Sequence, residues 1–203
     1  MNLFLTGFEP FGGEKVNPSY EILRNIKDDF GGVRIVKFEV PTAYYVSIAE
    51  ATAKVRELSP FAVLSIGQAG GRSSISLERI AINVSDTTTP DNLGQCPFNE
   101  PIDPSGKEAY FATIPLYAIL NKLKENGIPA SISNSAGTFV CNHLMYGILN
   151  YIHKYNLNTK AGFMHVPYLE SQVVNKPNTP SMALETMVKA VETAIEVILD
   201  DSD

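Results

Sequence analysis

The run F-A-V-L-S-I at residues 61–66 is the feature that most constrains this chain. A short continuous apolar stretch suits a strand covered on both faces, and such strands belong to sheets with helices packed on either side. The surrounding sequence provides those layers. Residues 2–6 read as a second buried strand, followed by a turn-rich loop carrying Phe8 and Phe11. Asn17 offers an N-cap with Pro18 at the first helical position, and Ile22, Leu23 and Ile26 form one apolar stripe. Gly31 and Gly32 break the chain before a strand over residues 33–40. Tyr45, Ile48, Val55 and Leu58 fit a second helix that Pro60 stops. Pro115 opens a third, with Gly127 just beyond its end. Residues 130–133 read as a strand, and Val140, Leu144, Ile148 and Ile152 mark a fourth helix. A strand over residues 160–166 and a helix with a stripe from Leu184 to Ile198 complete the chain.

Strands alternating with helices predict an α/β fold, a single domain spanning residues 1–203, with a mostly parallel sheet. Residues 75–84 read as one half-buried strand in which Ile80, Ile82 and Val84 alternate with Arg79, Ala81 and Asn83. The link from residues 61–66 to this strand is too short for a helical crossover, which predicts a mixed sheet. The same parity places Glu78 on the apolar face, where a carboxylate is costly unless paired. Residues 86–106 form a loop with four prolines, longer than the roughly 15 residues usual in compact domains. It is either functional or a surface insertion or oligomer contact.

Composition narrows the function. The 203 residues carry a net charge of −6 with no Lys/Arg cluster, which argues against nucleic acid as a partner. No apolar run approaches the ~20 residues of a membrane span, and residues 1–8 lack the basic start of a signal peptide. A cytoplasmic location is expected, with Cys96 and Cys141 kept as thiols. The three histidines and two cysteines show no metal-ligand spacing.

Cys141 lies where the fourth helix should begin, at the end of S-N-S-A-G-T-F-V-C. The free N–H groups and partial positive charge of a helix start stabilise a thiolate, the nucleophilic form of cysteine. A cysteine hydrolase also needs a base and a group that orients it. On a regular helix His143 projects about 200° away from Cys141, and His153 lies about 18 Å further along. His165 ends a strand on the expected site edge, because sites in open α/β sheets form outside the carboxyl ends of strands. Glu78 is the carboxylate placed on a buried strand face. Blander readings stand beside these: an inert core thiol, a structural histidine, a Glu78 paired to Arg72 or Arg79 as scaffolding, and core roles for Phe8, Phe11 and Phe139. G-Q-A-G-G-R at residues 67–72 lacks the Walker Gly-Lys-Ser/Thr and is a weak phosphate signal.

Several motifs resemble the pyroglutamyl peptidase I family of cysteine peptidases. They are T-G-F-E-P-F-G-G at residues 6–13, V-N-P-S at 16–19, G-Q-A-G-G-R-S-S-I-S-L-E-R-I-A-I-N at 67–83, S-N-S-A-G-T-F-V-C-N-H-L-M-Y at 133–146 and G-F-M-H-V-P-Y at 162–168. The resemblance implies an open α/β/α sandwich, a Cys141–His165–Glu78 triad, no cofactor, and a homotetramer acting on N-terminally pyroglutamylated peptides. It implies a lactam pocket walled by Phe8, Phe11, Phe139 and Val140, with polar contacts from Gln68 and support from Asn17. One departure stands out: Thr88 occupies the place of an arginine that many similar chains carry near the oxyanion. Two alternatives remain at this point, a nucleoside-phosphorylase-like enzyme with a structural Cys141 and a non-catalytic pyroglutamate-binding module.

Overall fold

The computed structural model describes residues 1–201. Its elements run β1 (Asn2–Phe8), α1 (Pro18–Asn25), β2 (Asp29–Phe30), β3 (Val33–Val40), α2 (Val46–Leu58), β4 (Ala62–Gln68), β5 (Ile75–Glu78), β6 (Ile80–Ile82), β7 (Ala109–Phe111), α3 (Leu116–Glu125), β8 (Ala130–Ser133), α4 (Val140–Lys154), β9 (Lys160–Val166), α5 (Glu170–Val173) and α6 (Leu184–Asp200). Seven strands form one sheet in the order β2-β3-β1-β4-β9-β5-β8, and β6 pairs with β7 in a separate hairpin-like sheet.

The centre of the main sheet is parallel: β3, β1, β4 and β9 run side by side. Their continuous apolar sequence follows from burial on both faces. Leu3, Leu5, Leu64, Ile66 and Met164 pack with Ile22, Leu123, Met187 and Ile195 from α1, α3 and α6. Phe4, Val63 and Phe163 point the other way, onto Ala51, Val55, Leu144 and Ile148 from α2 and α4. The arrangement is an α/β/α sandwich with a mixed, mostly parallel sheet, as expected.

Three local expectations need correction. Residues 75–84 are two strands. Ile75–Glu78 joins the main sheet, whereas Ile80–Ile82 leaves it to pair with β7. The polypeptide turns out at Arg79, whose N–H bonds Ser133 O and whose carbonyl accepts from Ala112. The face assignment beyond Glu78 reverses accordingly: Ala81 is buried, and Ile80 and Ile82 are only partly so. The route of the chain to the site edge also differs from a simple strand end, because β5 runs antiparallel to β9 and β8 runs parallel to β5. The carboxyl end of β8 therefore lies level with Phe163, inside the sheet. Residues 134–139 climb back to reach the upper edge, helped by Gly137 in the left-handed region (φ +78°), which favours glycine. Finally, β2, β7 and the four-residue α5 have no counterpart among the predicted elements.

Candidate active site

β4 and β9 end together, with Gly67 opposite His165 in their register. β5 crosses antiparallel on the other flank of β9, with Ser76 opposite His165, and Glu78 is fully buried. Its Oε1 accepts from His165 Nδ1 at 2.7 Å and also from Arg72 Nη1 at 2.7 Å. Glu78 is thus buried and paired, as its place on the apolar face requires, although the strand expected to continue past it stops there. Burial pushes the Glu78 carboxyl up, but the hydrogen bond and charge of His165, then Ser133 and Arg72, outweigh it and leave the group below its ordinary range. Glu78 Oε2 has no hydrogen-bond partner among the described residues. The Ser133 hydroxyl beside it also donates to Ser135 O at 3.1 Å. Arg72 Nη2 donates to Ser135 O at 3.2 Å, which ties the carboxylate to the segment leading into α4.

Cys141 is the second residue of α4. The first intrahelical bond runs from His143 N to Phe139 O (3.1 Å), so the N–H groups of Val140, Cys141 and Asn142 precede the ladder. Asn142 fixes this end of the helix. Its buried side chain accepts from Ile82 N and donates to Ile82 O and Val84 O. The Cys141 thiol rests on the backbone of Gly67: a Cβ there would sit 2.8 Å from Cys141 Sγ and 2.8 Å from Phe163 Cζ. Gly67→Ala is thus expected to push the thiol aside, lowering kcat by about a hundredfold and stability by roughly 1–3 kcal/mol. Steady-state kinetics and thermal melting of the variant check this.

The helix start is not the whole environment of the thiol. Burial drives the Cys141 thiol up to about 12, the Glu78 charge adds to the effect, and Arg72 opposes it. Desolvation outweighs the favourable helix start. His143 does point away, as its spacing requires. Its ring is buried, accepts from Tyr45 N at Nε2 and bonds Ser85 Oγ through Nδ1. Burial holds it down to about 4, so it is neutral near pH 7.

Cys141 and His165 open into a cavity of about 170 Å³ whose lining includes Phe8, Phe11, Asn17, Gln68, Phe139 and Val140. This is below the ~300–1,000 Å³ of drug-sized pockets and suits a small ring. Phe11 and Phe139 lie 5.9 Å apart between centroids. Asn17 caps α1 through Ser19 N and also donates to Glu9 O. Gln68 Oε1 accepts from Gln172 Nε2 of α5 at 2.9 Å, which fixes the side chain. The Gln68 backbone is a second source of polar groups. Ala69 N bonds Val166 O across β9, so alternation turns the N–H and C=O of Gln68 to the other side, beyond the last β1–β4 pair, Thr6–Ser65. Arg72 lines the cavity too, and so do Thr42, Ala69, Ala136 and Gly137, none of which was assigned to it from sequence. Thr42 and Ala69 could have been flagged by their position just past strand ends. Thr88 is exposed and outside the lining, which leaves Arg72 as the cation at the cavity. A hollow of about 330 Å³ lined by Tyr45, Asp103 and Lys154 has no such cluster.

A mixed α/β sheet with a buried carboxylate–imidazole pair and a cysteine at one small cavity defines a hydrolase of the cysteine-peptidase class. The chain belongs to the pyroglutamyl peptidase family, whose sequence model matches residues 1–201. It is 62% identical over 199 residues to pyrrolidone-carboxylate peptidase 1 of Caldanaerobacter subterraneus subsp. tengcongensis, covering 98% of each chain. It is 61% identical over 202 residues to pyrrolidone-carboxylate peptidase of Thermoanaerobacter pseudethanolicus, covering 100% of each. Pyroglutamyl peptidase I from Bacillus amyloliquefaciens superimposes with a TM-score of 0.94 at 40% identity, over 97% of this chain and 94% of that one. A mutant pyrrolidone carboxyl peptidase from the hyperthermophile Pyrococcus furiosus gives 0.97 at 39% identity, over 100% of both. Neither the phosphorylase reading nor the non-catalytic module finds support in these likenesses.

Proposed function

We propose that this chain hydrolyses the bond after an N-terminal pyroglutamyl residue, with Cys141 as nucleophile, His165 as base and acid, and Glu78 as its orienting carboxylate. The observation that carries the reading is the 2.7 Å contact of His165 Nδ1 with Glu78 behind a cavity shared by His165 and Cys141. With Nδ1–H given to the carboxylate, Nε2 is the ring nitrogen left to accept a proton. The raised thiol favours transfer during attack over a standing thiolate. As Sγ bonds the pyroglutamyl carbonyl carbon, its proton passes to His165 Nε2. The N–H groups at the start of α4 face the developing oxyanion. His165 then protonates the leaving amine, the C–N bond breaks, and a thioester remains. Water, deprotonated by His165, cleaves the thioester and releases pyroglutamate and free thiol.

The neutral lactam explains the walls. Phe8, Phe11, Phe139 and Val140 cover a flat ring, and the Gln68 N–H and C=O match its carbonyl and N–H. N-terminal proline has no ring carbonyl for the Gln68 N–H and would bring a charged ring nitrogen into the apolar slot, a discrimination that buried polar groups make steep. The experiment is hydrolysis of pyroglutamyl- and prolyl-aminomethylcoumarin. Release from the first alone is expected, and release from neither would overturn the reading.

A homotetramer in the cytoplasm completes the proposal. Among the described residues no helix is long and apolar enough to cross a membrane. The exposed Phe98, Phe111 and Val174 offer apolar surface for contacts between copies.

A further inference from the structure

Three segments wall the cavity: the end of β1 with Phe8 and the loop after it with Phe11, the segment after β3 with Thr42, and the start of α4 with Phe139. β1 and β3 pair as far as Phe8 and Val40, but no secondary structure joins the segments beyond them to the start of α4. The long loop over residues 86–106 does. Asp91 is buried, and its Oδ2 accepts from Tyr44 N at 2.8 Å, while Oδ1 accepts from Leu93 N and Gln95 N at 2.9 and 2.8 Å. The next residue reaches the first wall. Asn92 Nδ2 donates to Glu9 Oε1 at 2.8 Å and to Pro10 O at 2.9 Å, and Asn92 N bonds Thr42 O at 3.0 Å. Glu9 Oε1 in turn accepts from Thr42 N. The loop's first residue holds the third wall, because Thr138 Oγ1 donates to Asp86 O at 2.5 Å and Asp86 N bonds Thr138 O. Tyr44, fixed by Asp91, sets its ring edge-on against Phe139 at 5.7 Å.

We infer that Asp91 and Asn92 are positioning residues for substrate selection: they lace the three walls together and so fix the width of the slot that accepts a five-membered lactam. This rests on the proposed function and deepens it. Asp91 turns two backbone N–H groups of its own loop inward, which makes a rigid knot, and gives its second oxygen to Tyr44. Asn92 spans from that knot to Glu9, Pro10 and Thr42. Neither lines the cavity, and neither reaches Cys141, Glu78 or His165. Loosening them should widen the slot and leave the chemistry in place.

The test uses Asn92→Ala and the near-isosteric Asp91→Asn, which sets an amide N–H₂ or a weaker acceptor against Tyr44 N. Losing two or three hydrogen bonds predicts a KM for pyroglutamyl-aminomethylcoumarin raised about tenfold, with kcat within about twofold of wild type. Competitive inhibition by 2-pyrrolidone should weaken in proportion. The preference for the five-membered lactam over its six-membered homologue should fall about tenfold as well. The rate of Cys141 alkylation by iodoacetamide should stay unchanged. An unaltered KM and ring preference in both variants would overturn the inference, as would a fall in kcat that tracks the loss of melting temperature with KM intact. A wild-type protein inactive on the pyroglutamyl substrate would instead overturn the function on which it rests.

Discussion

Replacing Cys141 by alanine is expected to lower kcat/KM for a pyroglutamyl-coumarin amide by about 10⁵-fold, while the melting temperature shifts by about 4 °C or less. The size follows from the chemistry. Without Sγ there is no covalent route, and His165 with the N–H groups at the start of α4 retains only orientation and oxyanion stabilisation. The small stability effect follows from the site: the side chain borders the cavity, and its truncation leaves α4 anchored through Asn142. The thiol also has a distinctive pH behaviour. Because burial holds it up to about 12, inactivation of the free enzyme by iodoacetamide should speed up steadily from about pH 6 to about pH 10. A plateau near pH 6 would mean a preformed thiolate–imidazolium pair.

Glu78→Gln is the second large effect. The amide keeps the volume but removes the charge that His165 and Arg72 share at Oε1. It can also present an N–H₂ to His165 Nδ1, which favours the wrong ring tautomer. A fall in kcat of about 10²–10⁴ is expected, with KM little changed. Stability should respond differently with pH. The carboxyl titrates below its ordinary value in the folded chain. Its ionisation thus stabilises the fold above the unfolded value of about 4.5, and that stabilisation is lost as pH falls through the lowered folded value. The gap in melting temperature between wild type and Glu78→Gln should therefore be widest near neutral pH and narrow on acidification below about pH 4.5. Equal losses of activity and stability at neutral pH would favour a scaffold role for Glu78 with Arg72.

The element order was largely legible because its signals are local. Asn17 and Pro18 mark the start of α1, and Gly127, in the left-handed region at φ +71°, closes α3. Residues 61–66 carry a run that only double-sided burial explains. Failures fell where tertiary pairing overrode a local pattern. Alternation continues through residues 75–84, yet the chain changes sheets at Arg79 because Ser133 and Ala112 take its backbone groups. The direction of β8 depends on which flank of β5 it joins, and no residue of A-S-I-S encodes that. At the site, Glu78, Cys141 and His165 could be singled out by residue type and position along elements. The state of the thiol could not, since desolvation belongs to the assembled core. Gln68 could be named from sequence, but not its tie to Gln172, more than a hundred residues away, which holds its Oε1.

The central claim is a covalent step at Cys141, and intact-protein mass spectrometry of acid-quenched turnover tests it most directly. Mixing the protein with excess of an activated pyroglutamyl ester and quenching within the first turnovers should give a species heavier by one pyroglutamyl group. Digestion should locate that group on the peptide containing Cys141, and Cys141→Ala should not acquire it. Turnover without any adduct under these conditions, or an adduct carried by the exposed Cys96 with Cys141 unmodified, would contradict the account.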